Sequence, residues 1–216
     1  MKHRSAAIVL AAVMALTMTA CGSKKSDDST VDMETYKTPT QAETTKAPVT
    51  PVSAEEGALL SIKDTTVKPG GVAEVTVHVE NADLKWNMCG LHVAYPTALK
   101  PQISDAETRS MKKTVGDAAK YNMGFVSLAW FDNLPKELTD RNYGAFFLTA
   151  VMDGNNGEDG DIATFYFDVP EDAAPGTVYD IEFFYQEGDL FSNASRDPGY
   201  DQFAFDNWKG GKITVE

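Results

Sequence analysis

The chain has 216 residues, with 19 Lys and Arg against 32 Asp and Glu, a formal net charge of −13. So acidic a chain lacks the basic footprint that nucleic-acid phosphates demand, which excludes that class of partner and favours basic or metal-loaded ones. Its two cysteines are Cys21 and Cys89, and their positions leave Cys89 alone in the globular part, so packing and not a disulfide must hold the fold.

Lys2, His3 and Arg4 precede an apolar run from Ala6 to Leu16, followed by Met18-Thr19-Ala20-Cys21. A basic start, a short apolar stretch and small residues before a cleavage point form the pattern of a secretory signal over residues 1–20. The run is shorter than the roughly 20 apolar residues a bilayer span needs. Thr19-Ala20-Cys21 followed by Gly22-Ser23 resembles a bacterial lipobox, with Met18 where Leu is usual. The resemblance implies that Cys21 takes a diacylglycerol, becomes the mature N-terminus and anchors the protein at the outer side of the membrane, the membrane being met only through that lipid. Loss of Lys2 and Arg4 with the leader would leave 17 basic against 32 acidic residues, a balance of −15. Ser23 to Glu56 is rich in Thr, Ser, Pro and Lys with almost no large apolar residue, and reads as a disordered tether. The expected layout is a signal over 1–20, a lipidated cysteine and linker over 21–56, and one domain over 57–216.

Within the domain, Leu60 and Ile62 suggest a first strand, closed by the turn Lys68-Pro69-Gly70-Gly71. AEVTVHVE then alternates, with Ala73, Val75, Val77 and Val79 on one face and Glu74, Thr76, His78 and Glu80 on the other. A third strand, MCGLHVAY, sets Cys89, Leu91, Val93 and Tyr95 against Met88, Gly90, His92 and Ala94, and Pro96 stops it. That second face is small and weakly polar instead of charged, as expected of a face covered by protein or left smooth for a partner. Leu99 to Ile103 suggests a fourth strand, and Asp105 to Asn122 is polar with an ambiguous helical or irregular pattern.

GFVSLAWF (Gly124–Phe131) and AFFLTAVM (Ala145–Met152) are strands apolar on both faces, separated by a loop with a helical turn from Pro135. Gly160 to Val169 alternates again, with Ala163, Phe165, Phe167 and Val169 opposite Thr164, Tyr166 and Asp168. The turn PEDAAPGT follows, then a strand with Tyr179, Ile181, Phe183 and Tyr185 set against Asp180, Glu182 and Phe184. Leu190-Phe191-Ser192, a long loop to Gly210, and a last strand with Ile213 and Val215 inward complete the chain. About nine or ten short strands and almost no periodic helix predict an all-β, two-sheet β-sandwich with jelly-roll topology. The strands around PEDAAPGT are expected in different sheets.

No motif signals catalysis. His78 and His92 lie on strands without a nucleophile motif, and G-x-S-x-G and H-E-x-x-H are absent. Asp153, Asn155, Glu158, Asp159 and Asp161 offer oxygen ligands, but Gly157 stands where an EF-hand loop wants Asp or Asn, so the loop reads as a solvated turn and no metal site is assigned. Trp86, Trp130 and Trp208 could supply an aromatic platform for sugars, which makes a carbohydrate-binding jelly roll of a surface lipoprotein the alternative function.

Five pieces, in order, resemble a cohesin module of cellulosome-type assemblies: Val67-Lys68-Pro69-Gly70 before AEVTVHVEN; GLHVAYPTAL; DGDIATFYFDVPEDAAPGTVYDIEF; GDLFSN; and the terminal GGKITVE. The second departs from the family, where Tyr-Asp-Pro often sits, and the region from Ser192-Asn193 to Gly210 is most similar to the ruminococcal branch. The resemblance implies a non-catalytic jelly roll that binds dockerins, the calcium-loaded modules borne by enzymes and scaffoldins of polysaccharide-degrading complexes. Calcium is thus expected on the partner and no cofactor on this chain. In the family the partner lies across strands 8, 3, 6 and 5. Carried over here, strand 3 supplies Met88, Gly90 and His92; strand 6, taken as Ile162–Val169, supplies Thr164 and Tyr166; strand 8 supplies Leu190, Ser192 and Asn193. Spacing to Gly160 favours AFFLTAVM as strand 5, with Leu148 and Ala150 outward; the alternative is GFVSLAWF, with Leu128 and Trp130 exposed.

Overall fold

In a computed structural model of the chain, residues 57–216 are described; the signal, Cys21 and the linker expected over 1–56 lie outside them. The described part is two curled sheets packed face to face. The chain starts with β1 (Leu59–Ile62), β2 (Thr65–Val67) and β3 (Val72–Glu80), then crosses to β4 (Met88–Pro96). The alternation of β3 is realised in full: Ala73, Val75, Val77 and Val79 are each 1% exposed or less. In β4 the set facing the other sheet is Cys89, Leu91, Val93 and Tyr95, and on its outer side Gly90 and Ala94 are buried as well.

Sequence pattern was least informative between Leu99 and Asn122. The expected fourth strand is split into β5 (Lys100–Pro101) and β6 (Ile103–Asp105), which join different sheets. The polar stretch after it forms β7 (Ser110–Met111), β8 (Lys113–Val115) and a 3-10 turn over Asp117–Ala119. Strands of two or three residues are too short to show a period, which is why the described residues hold fourteen strands where nine or ten were expected.

Long strands resume with β9 (Asn122–Trp130), the short helix α1 (Lys136–Asp140), β10 (Tyr143–Met152) and β11 (Gly160–Asp168). PEDAAPGT then carries the chain across the end of the sandwich to β12 (Val178–Phe184), followed by β13 (Leu190–Ser192), α2 (Pro198–Asp206) and β14 (Gly211–Val215). Helix α2 lies in what was expected to be irregular loop. Asp197 caps it by accepting from the Gly199 N–H at 2.8 Å, and an Asp-Pro pair is a start signal legible in sequence.

The smaller sheet runs β1-β3-β11-β5, with β8 also on β11; the larger runs β2-β14-β12-β4-β10-β9-β7-β6, with β13 also on β4. β14 and β2 pair in parallel and the remaining named pairs are antiparallel. Aromatic rings join the layers. Phe146 of β10 lies 4.6 Å from Phe165 and 6.1 Å from Phe167 of β11, and Tyr95 of β4 lies 4.9 Å from Phe167. Each such ring removes large apolar area from water and adds an oriented ring contact of about 0.5–1.5 kcal/mol.

Cys89 is fully buried in this core, and burial pushes its thiol up to about 12, opposed only in part by a backbone hydrogen bond with Ala150. A thiol reacts as thiolate. Peptide mapping after iodoacetamide treatment should therefore find Cys89 unmodified in the native protein and modified after denaturation.

Candidate functional site

The outer face of the larger sheet is fixed by register. Across β9, β10, β4 and the β12–β13 side, three successive rows read Gly124, Val151, Met88, Ser192; then Val126, Thr149, Gly90, Leu190; then Leu128, Phe147, His92, Phe184. No position in these rows is charged, in a chain that is 24% Asp, Glu, Lys and Arg. Val126 is 45% and Leu128 36% exposed.

In a fourth row, Trp130, Ala145, Ala94 and Glu182, the two alanines are covered. Leu138 of α1 buries itself with Ala94 and Ala145 in a small second core, flanked by Trp130, Leu134, Tyr143 and Phe184. The Arg141 guanidinium donates two hydrogen bonds to the Glu182 carboxylate, at 2.6 and 3.0 Å, and lies 4.3 Å above the Tyr143 ring. At another corner Arg109 pairs with Asp132 at 2.6 Å and lies over Phe131. Both charged corners are thus neutralised within the chain, and what stays open between them is apolar.

Two features give that surface relief. Beside His92 an open depression of about 450 Å³ is lined by Leu128, Ala129, Trp130, Phe147, Thr108 and Arg109. Beside it, Gly90 forms a floor between Phe147 and Leu190: a methyl group there would meet the Phe147 ring at 3.5 Å, ordinary contact, so glycine keeps the surface low without being sterically required.

His92 stands at the centre. Its Nδ1 lies 2.6 Å from Asp189 Oδ1, and its ring is surrounded by Phe147, Trp130 and Phe184 at 4.9, 5.4 and 5.4 Å. Asp189 reaches it from the loop between β12 and β13, each of which pairs with β4. That loop is closed on itself: the Asp189 N–H donates to the Gln186 carbonyl, and the Gln186 N–H donates to Asp189 Oδ2, each at 2.9 Å.

Of the residues singled out from sequence, Met88, Gly90, His92, Leu190 and Ser192 share this face. Asn193 does not extend it: its side chain accepts from the Asp197 N–H at 3.1 Å and shapes the approach to α2. Leu148 and Ala150 are corrected. Both are 0% exposed and point into the core, because Phe146, two residues earlier on the same side, is seated against Phe165 and Phe167. The outward residues of β10 are Phe147, Thr149 and Val151.

Thr164 and Tyr166 are corrected as well. They lie on β11, in the other sheet, and face away from the sandwich on its opposite side. Thr164 hydrogen-bonds Thr76 at 2.9 Å, and Tyr166 hydrogen-bonds Thr114 of β8 at 2.7 Å with Lys112 over its ring. The strand beside β4 is β10, and the next is β9, so both middle strands belong to the face. Sequence reasoning missed Phe147, Phe184 and Asp189. The first two could have been found from parity once Phe146 and Phe183 were known to point inward; Asp189 carries no pattern signal.

The remaining candidates separate. Asp159 accepts from the Ala82 N–H, Asn155 from the Ala194 N–H, Glu158 pairs with Lys120, and Asp161 pairs with Lys63 and His78. These oxygens diverge, and among the described residues no group of three or more His, Cys, Asp or Glu is placed to hold a metal. Gly157 breaks the EF-hand pattern because its backbone packs on the Trp86 ring, where a Cβ would collide. Trp86 is fully buried, Trp208 stacks on Phe183 and Trp130 borders His92, so the three tryptophans form no common platform for a sugar.

The larger sheet thus offers a smooth, uncharged outer face. The comparisons supply the class of protein. A type III cohesin module from the cellulosomal ScaE cell-surface anchoring scaffoldin of Ruminococcus flavefaciens is 30% identical, with a TM-score of 0.60 over 74% of this chain and 88% of its own. The sixth cohesin of Acetivibrio cellulolyticus scaffoldin B, solved with a mutant Cel5 dockerin, shares the fold at 16% identity and TM-score 0.51. The Coh-OlpA module of Clostridium thermocellum, in its type I complex with Doc918, does so at 15% and 0.53; each covers 74% of this chain and 99% of its own. No family model matches the chain, and no curated protein matches it. The chain belongs to the cohesin family and is a binding module, not an enzyme.

The corrected parity has a direct test in urea melts. Leu148→Ala should lower unfolding free energy by roughly 2–5 kcal/mol, the cost of a buried leucine cavity. Leu128→Ala should change it by no more than about 0.5 kcal/mol, as for an exposed position.

Proposed function

We propose that this protein is a cell-surface cohesin that captures dockerin-bearing enzymes or scaffoldins on the outer face of its larger sheet. The observation that carries the reading is the uncharged face built by β9, β10, β4, β12 and β13. An apolar patch of this kind is a solubility liability on a free domain, and a partner that covers it accounts for its retention. Membership of the cohesin family supplies the class of partner: a calcium-loaded dockerin, with the calcium on the dockerin. The similarity to a cohesin of a cell-surface anchoring scaffoldin supports an extracellular location.

The lipobox-like Cys21 and the tether to residue 56 would hold the module at the membrane while letting it stand clear of the envelope. It would then serve as the attachment point of a polysaccharide-degrading complex. Binding would be non-covalent and mostly apolar, with hydrogen bonds at Ser192, His92 and Thr149 among the apolar contacts, Thr149 as acceptor because its hydroxyl donates to the Cys89 carbonyl.

The test uses the full chain with Cys21→Ser for soluble purification and a panel of recombinant dockerin modules. At least one should bind in calcium and be released by EDTA, while EDTA leaves the melting temperature of the chain alone unchanged. Leu128→Asp should weaken that complex by roughly a hundredfold or more, because docking would bury an unpaired charge, at an unchanged melting temperature. Thr164→Asp, on the opposite sheet, should leave affinity unchanged. Retention on insoluble polysaccharide with no dockerin bound would overturn the reading. Separately, detergent phase partitioning of cells expressing the unmodified chain should place it in the detergent phase, and Cys21→Ser should move it to the medium.

A further inference from the structure

We infer that His92 couples docking to proton uptake: when the partner closes over it, its ring becomes imidazolium and donates from Nε2 to an oxygen acceptor on the partner. The inference deepens the docking role proposed above and rests on it.

The Asp189 side chain is 1% exposed, and both its oxygens are acceptors, Oδ1 toward His92 and Oδ2 from the Gln186 N–H. Nδ1 of His92 therefore carries a hydrogen in either ring state, and the second ring proton resides on Nε2 or is absent. Nε2 has no hydrogen-bond partner among the described residues, and the His92 side chain is still 17% exposed, so water reaches the ring in the free protein.

Among the described residues Asp189 has no other ion-pair partner. Phe147 of β10, Leu128 and Trp130 of β9 and Phe184 of β12 are uncharged, as are the neighbours of His92 on β4. Glu182, one row away, is tied to Arg141, and Arg109 across the depression is tied to Asp132. From α2, Asp201 lies behind Asp189; burial first, and the Asp189 charge after it, hold its carboxyl above the usual carboxylate range. It adds no positive charge.

Two states of the pair then compete. With a neutral ring the pair carries one negative charge; with an imidazolium it carries none. In the free protein water reaches the pair only through the His92 ring, 17% exposed, and eases the first state from that side; an apolar partner removes that water and makes the uncompensated charge far costlier than a hydrogen-bonded neutral pair. Aromatic faces around the ring favour the cation further. Docking thus takes one proton from solvent, and the new Nε2–H needs a carbonyl, hydroxyl or carboxylate oxygen opposite it, which defines a feature the dockerin must present.

The sign follows from linkage. A proton taken up on binding makes the complex tighter as pH falls, by at most about tenfold per pH unit. The experiment is titration calorimetry of the full chain (Cys21→Ser) with the calcium-loaded dockerin that it binds, at about pH 7.5, where an ordinary imidazole is mostly neutral. Buffers of different ionisation enthalpy report the proton count. The expected result is close to one proton taken up. His92→Gln keeps a side-chain donor but cannot titrate, so it should weaken the complex, the Asp189 charge being then buried uncompensated, and whatever complex still forms should take up no proton. Asp189→Asn should also abolish uptake. A complex that Leu128→Asp disrupts but that takes up no proton overturns this inference and leaves the docking face standing, as does uptake that persists in His92→Gln. If no dockerin binds, the docking role is overturned and this inference with it.

Discussion

The seating of Phe146 between the sheets decides which surface this protein offers. Phe146 meets Phe165 and Phe167 across the layer, with Tyr95 closing on Phe167 from β4. Because β-strand side chains alternate strictly, placing Phe146 inward sends Leu148 and Ala150 inward and Phe147, Thr149 and Val151 outward. A one-residue slip of β10 would bury those three and expose the others. It would also break the cross-strand rows that align β9, β10 and β4, so core packing and surface identity are one constraint.

The surface that results is unusual for so acidic a domain. Its charged corners are satisfied internally, Arg141 by Glu182 and Arg109 by Asp132, and α1 lays Leu138 over one end. The open part therefore has little beyond shape, apolar area and a few hydrogen-bonding groups with which to select a partner. A hydrophobic centre of this type, rimmed by paired polar groups, suits a stable protein–protein contact better than a sugar or nucleic-acid site. The His92–Asp189 pair is the exception: a buried carboxylate placed under the middle of an apolar face and held by a self-closed loop.

Legibility in the sequence tracked how sharply the two faces of each strand differ. β3 alternates valine with Glu, Thr and His, and its inward set was readable residue by residue; so was the smooth outer face of β4. β10 is apolar on both sides, one side packed on the other sheet and one forming the exposed face, so hydropathy alone could not choose its parity. The assignment of β11 to the partner face failed for a different reason. Which strands are neighbours is set by long-range pairing, and the short strands β5 to β8 take up length between β4 and β9 without a periodic signature. The family resemblance supplied the fold and the class of partner, whereas carrying over its strand order required knowing those pairings. Asp189 was illegible because its role depends on a loop closing beneath a strand nearly a hundred residues away.

The central claim is that one face of one sheet meets the dockerin. Hydroxyl-radical footprinting of the chain alone and in its dockerin complex reads this directly, since the face carries oxidisable Met88, Leu128, Trp130, Phe147 and Phe184 and the opposite sheet carries Tyr166. The account predicts that oxidation of Met88, Leu128 and Phe147 falls on complex formation while that of Tyr166 is unchanged. Protection of Tyr166 with the β9–β10–β4 residues unaffected would contradict it.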